Sequence, residues 1–148
     1  MNMESKSEVT MSVDILKIML DEIRIKLPND KALSDGYSQF KIAKMANPKM
    51  IFMNLGTYLL APYADYIHAG SFQNLFEVLV NSEMYQINKK DNEEFLGNVI
   101  FTSVSMLSDD DKLRVMKNLR TLLQLFVRYT SRKGMQIEFN KIPESFKV

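Results

Sequence analysis

The 148-residue chain is 46% hydrophobic and 25% charged, with five Gly, four Pro, no Cys and a formal net charge of +1. That length suits one domain with a real core, and so few Gly and Pro leave little room for the turns of an all-β fold. The lack of cysteine excludes disulfides, thiolate metal sites and cysteine nucleophiles, and it fits a reducing compartment.

Residues 1–11 are polar and read as a flexible N-terminal segment. Met1 to Ser7 includes Glu4 and Lys6 and lacks the apolar stretch of a secretory signal. Ser12 is the expected N-cap of a first helix, because Leu16, Met19, Leu20, Ile23 and Leu27 follow at helical spacing until Pro28. Asn29 to Lys31 reads as a turn. Ser34 or Asp35 is expected to cap a second helix through Ala46, with Tyr37, Phe40 and Ala43 on one side.

Asn47-Pro48 is a strong helix start, since Asn caps and Pro fits the first helical position. A third helix is expected over about 48–60, and Ala61-Pro62 repeats the device for a short helix to Ala69. Gly70 then suits the left-handed residue after a helix, and Ser71 caps the next helix, whose apolar residues are Phe72, Leu75, Phe76, Leu79 and Val80. Asp91 and Glu94 have capping-box spacing for a helix through about Leu107. Ser108 to Asp111 opens the last helix, which reaches about Ser131 and ends at Gly134. Beyond it, Met135, Ile137 and Phe139 alternate with polar residues, as in an edge strand or an extended tail packed on the bundle.

Two stretches lack charge and must be buried. Phe95 to Leu107 is apolar all round and, at 13 residues, too short to cross a membrane, so it is the expected central helix. The other is Met50 to Ala64. Its Gly56 costs about 1 kcal/mol of helix propensity relative to Ala, which implies close packing, or else a hinge or ligand contact. The eleven Met residues suit gap-filling in an irregular core or an adaptable binding surface. The resulting reading is all-α: a compact multi-helix bundle of six to seven helices around a central apolar helix. The bundle domain covers 12–134 and an extended tail covers 135–148.

Catalytic patterns are sparse. His68 is the sole histidine, which excludes a multi-His metal site, and the glycines form no phosphate loop. Tyr63, Asp65, Tyr66 and His68 fall close together, yet no nucleophile or second base accompanies them. Asp109-Asp110-Asp111 reads as N-terminal capping rather than a cation site. The expectation is therefore no enzyme, no metal and no cofactor.

Charge is split along the chain. Residues 112–148 carry nine Lys or Arg against two acids, whereas residues 51–111 carry two Lys against nine acids. A projection of residues 110–133 at about 100° per residue places Val115, Met116, Leu119, Leu122, Leu123, Leu125, Phe126, Val127 and Tyr129 on one arc. Arg114, Lys117, Arg120, Arg128 and Arg132 fall opposite, with Thr121 and Gln124 between them. This stripe is about 27 Å long at 1.5 Å per residue, and a single-sign stripe calls for an anionic partner. Candidates are an acidic protein surface, nucleic-acid phosphates, or the chain's own acidic half. Lys41 and Lys44, with Lys49, extend the patch if the second helix lies alongside.

The expected function is thus a non-enzymatic binding protein, a helical subunit, adaptor or inhibitor of viral or phage type. It would act by protein–protein contact or self-association through Arg114, Lys117, Arg120, Arg128 and Arg132. The alternative is a nucleic-acid-binding subunit using the same face on phosphates; an enzyme built around Asp65 and His68 is a third reading. No stretch reaches the roughly 18 apolar residues of a membrane span, and the expected location is the cytoplasm, or the host interior for a viral protein.

Overall fold

The computed structural model of the chain describes residues 7–81 and 101–140. The protein is all-α, a compact multi-helix fold, and the described residues contain no strand. Among the described residues the helices are, in chain order, α1 (Glu8–Lys26), α2 (Lys31–Ala46), α3 (Pro48–Leu55), α4 (Ala64–Ala69), α5 (Phe72–Val80) and α6 (Asp109–Arg132). A π-helical turn, Gly56–Leu60, continues α3, and residues 101–104 are also helical.

Local chemistry accounts for most of the helix ends. Asn47 Oδ1 accepts from the Met50 amide at 3.2 Å, with Pro48 in the first turn. Ser71 and Ser108 cap α5 and α6, accepting from the Asn74 amide at 3.4 Å and the Asp111 amide at 3.2 Å. Gly70 and Gly134 follow their helices at φ 82° and 67°, where a side chain would be strained.

Two helices begin earlier than the sequence reading expects. α1 is capped by Ser7, whose hydroxyl accepts from the Thr10 amide at 3.1 Å. Ser12, the expected cap, lies inside the helix and is fully buried. Residues 8–11 are therefore helical rather than part of a flexible segment. α2 starts after Asp30, not Ser34 or Asp35. Asp30 Oδ1 accepts from the Leu33 amide at 3.0 Å, while its second oxygen accepts from the Ser103 hydroxyl at 2.8 Å. A carboxylate about one turn upstream out-competes the later candidates because it serves both contacts.

Of the expected central helix over 95–107, residues 95–100 lie outside the described residues, as do the expected caps Asp91 and Glu94. Phe101, Ser103 and Val104 are buried as expected. The helix does not reach Leu107, however: the helical stretch ends at Val104, turns follow, and Met106 is 72% exposed. The stretch from Met50 is likewise not enclosed all round. Phe52, Leu55, Leu59, Leu60 and Ala64 are buried, yet Met50 and Tyr58 face outward.

One continuous cluster of buried side chains joins α1 to α6 and the helical residues Phe101 and Val104. α6 packs on α1, the π-turn, α4 and α5. Its Phe126 ring lies edge-on to Phe52, with centroids 5.4 Å apart, and Phe52 meets Tyr129 in the same way at 5.1 Å. After α6 the described residues, up to 140, form a tail without strand. Phe139 packs edge-on to Phe126 at 5.8 Å, and the Asn140 amide donates to the Ala61 carbonyl at 3.1 Å.

Candidate docking face on the last helix

Every residue projected onto the apolar arc of α6 is buried: Val115, Met116, Leu119, Leu122, Leu123, Leu125, Phe126, Val127 and Tyr129. Thr130 joins them, its hydroxyl donating to the Phe126 carbonyl at 3.0 Å and the Val127 carbonyl at 3.1 Å. A polar residue on that arc is legible only through such a back-bond to the preceding turn.

Arg114, Lys117, Arg120, Arg128 and Arg132 are all exposed, together with Thr121 and Gln124. The stripe thus sits on a helix whose other side is anchored in the core, which holds its backbone rigidly.

The two ends of the stripe have partners within the chain. Arg114 pairs with Asp111 one turn earlier, and Arg132 pairs with Glu8 at the start of α1. Near the middle, Arg120 Nη2 lies 3.3 Å from His68 Nε2 on α4. The Thr121 hydroxyl donates to the Lys117 carbonyl at 3.2 Å. The chain's own acids therefore meet the stripe at its tips, from Asp111 and from Glu8.

Charge settles the two tip carboxylates differently. Burial raises the pKa of Glu8, but the Arg132 hydrogen bond, its own backbone and the Arg132 and Arg128 charges outweigh this and hold it below 4.5. Asp111 is held below 3.8 chiefly by the Ser108 hydroxyl, against some desolvation, with help from Lys26 and Arg114.

Glu8 and Arg132 join the start of α1 to the end of α6, so the two helices run antiparallel. At the opposite end Lys26 acts on Asp111. Between the helices lies an open groove of about 330 Å³. Met19, Ile23, Leu107 and Val115 supply apolar lining, Ile25 stands at the edge, and Glu22, Lys26, Asp111, Arg114 and Asn118 form the polar rim. Arg114 belongs both to the stripe and to this rim. Nothing in the sequence pattern marks the groove, because it exists only where α1 and α6 meet.

Lys41 and Lys44 lie elsewhere. They are on α2, which packs on α1 and α3, whereas the main neighbours of α6 are α1, the π-turn, α4 and α5. The Lys41 ammonium sits 5.4 Å from the centre of the Tyr37 ring, and the Arg24 guanidinium carbon lies 3.9 Å from the same ring. The condition for extending the patch, α2 alongside α6, is not met by this packing.

Asp65 and His68 also point to different partners. Asp65 Oδ1 accepts from the Tyr66 amide at 2.9 Å and from the Asn140 side chain at 3.1 Å, so it anchors the tail. His68 faces Arg120. Among the described residues, no three His, Cys, Asp or Glu side chains converge as a metal site. No helix among them is long and apolar enough to cross a membrane.

No protein-family model matches the chain, and neither curated proteins nor solved structures contain a match. The functional reading therefore rests on the geometry of the α6 surface.

Proposed function

We propose that this chain is a non-enzymatic binding protein whose docking surface is the basic face of α6, and that its partner is a protein. One observation carries the reading: Arg114, at one end of the basic stripe, also lines a groove with apolar walls. Cations beside apolar surface suit a protein partner, which offers both acids and apolar side chains. The anchored rear of α6 adds preorganisation, so little ordering cost falls on this side of the complex.

The test is capture from lysate by the tagged chain, side by side with the double variant Lys117→Glu and Arg128→Glu. A stoichiometric protein retained by the parent and lost by the folded variant supports the reading. Equal retention by both, or none by either, overturns it.

A second reading has its own observation. The centre of the stripe carries Lys117, Thr121, Gln124 and Arg128, all polar, as a phosphate backbone prefers. Titration with short RNA and DNA at two salt concentrations separates the two readings. Phosphate binding falls steeply with salt and is lost in the same double variant; no binding at low salt removes this reading.

A further inference from the structure

Resting on the proposed docking function, we infer that the groove between α1 and α6 takes an amphipathic helix of the partner protein, apolar on one side and acidic along one flank. The first observation is on α1. Met11, Ile15, Ile18, Glu22 and Ile25 recur at alternating steps of four and three residues, so they share one strip along the helix. Met11 and Ile15 are half-buried, but Ile18 is 55% and Ile25 76% exposed. Two of the four apolar residues of this seam-like strip, Ile18 and Ile25, therefore stand exposed with Glu22 between them, while Ile15 leans on the core.

The second observation is on α6. Arg114, Lys117, Thr121, Gln124 and Arg128 follow steps of three, four, three and four residues, so they too form a straight strip. The two helices are antiparallel, and the groove at one end of the pair is lined by Glu22 and Ile25 of the α1 strip and by Arg114 of the α6 strip.

A third helix laid along this pair would set apolar residues at i, i+3, i+4 and i+7 against the α1 strip. Its acidic flank would face Lys117 and Arg128. The other charges on the rim are Glu22, Lys26 and the paired Asp111 and Arg114. Glu22 disfavours acids on the α1 side, which fixes the flank of the incoming helix that carries them and hence its direction of roll.

The probe is a labelled 18-residue peptide with Leu at those spacings and Glu along one flank. Controls are a scrambled peptide and one with Lys in place of Glu. Binding to the full chain is read by fluorescence anisotropy. The acidic amphipathic peptide is expected to bind at least about tenfold tighter than either control, a difference of about 1.4 kcal/mol.

Ile18→Gln with Ile25→Gln, at exposed helical positions, is expected to weaken binding about tenfold. Replacing the peptide's Leu by Ala should do the same without altering the protein. Equal binding of the scrambled peptide, or no response to either set of changes, overturns the assignment. So does a doubled mass in light scattering that the Ile variant restores to a monomer, which would make a second copy the occupant. RNA binding that the charge reversal abolishes and the Ile variant leaves intact, with no peptide bound, also overturns it. If the Ile variant still captures the partner that the charge-reversed chain loses, the groove assignment fails and the proposed function stands. If neither variant loses capture, both fail.

Discussion

A Cβ placed on Gly56 would lie 2.1 Å from Cε1 of Phe126, so the Phe126 ring occupies the space a side chain at position 56 would need. Gly56 has ordinary helical angles, φ −64° and ψ −47°. Sterics alone therefore demand glycine here. Phe126 cannot easily give way, since it is fully buried against Phe52 and Phe139. Gly56→Ala is expected to destabilise the fold by roughly 1–3 kcal/mol, the range for overpacking, although Ala is the better helix former. Urea denaturation decides this, and an unchanged or higher midpoint would contradict the packing account.

Two serines make a paired test of capping. Ser108 holds the first turn of α6, and Ser108→Ala should cost about 1 kcal/mol. Ser12 is different: its hydroxyl is buried in α1 with no hydrogen-bond partner among the described residues. Ser12→Ala removes an unsatisfied polar group, so stability should stay level or rise by up to about 1 kcal/mol. Thermal melts of both variants check the contrast. A clear loss at Ser12 would return the cap to that residue.

The Glu8–Arg132 pair gives fold stability a pH dependence. The carboxylate of Glu8 is held below its ordinary value of 4.5, so the folded state favours its charged form. Its contribution is therefore complete above pH 4.5 and lost as pH falls through the lower folded value. Arg132 is half-exposed, which limits the pair to about 0.5 kcal/mol. Glu8→Gln should be less stable than the parent by that amount at pH 7. The difference should close at acid pH, where the parent carboxyl is protonated. A gap that persists unchanged at pH 2.5 would contradict the ion-pair account.

Phe139 and Asn140 hold the tail, through the Phe126 ring, the Ala61 carbonyl and the Asp65 carboxylate. Phe139→Ala removes the edge-on contact with Phe126, expected to cost about 1 kcal/mol. It should also loosen the Asn140 amide, which donates to the Ala61 carbonyl. Hydrogen exchange at Asn140 is expected to speed up several-fold more than exchange in the middle of α6. Equal acceleration at both places would mean that the tail and α6 open together.

Much of the architecture is legible in the sequence because its causes are local. Asn47-Pro48, Gly70-Ser71 and Ser108 mark helix ends through hydrogen bonds and backbone angles within four residues. The two-faced character of α6 follows from helical periodicity, and every residue projected to the core is buried. The misplaced starts of α1 and α2 show the limit. Ser7 and Ser12 are equally good caps in isolation, and Asp30 wins α2 partly through Ser103, 73 residues away.

By itself, then, the sequence determined the all-α class, most helix ends and the composition of the basic face, since each depends on residues within a turn or two. Tertiary structure alone decided how that face is used up and what lies beside it. It paired Arg132 with Glu8 and set Arg120 against His68. It left Lys41 and Lys44 on a helix packed against α1 and α3, and opened a groove between α1 and α6. The reason is physical: ion pairs and grooves depend on distances between helices, and periodicity within one helix carries no information about its neighbours.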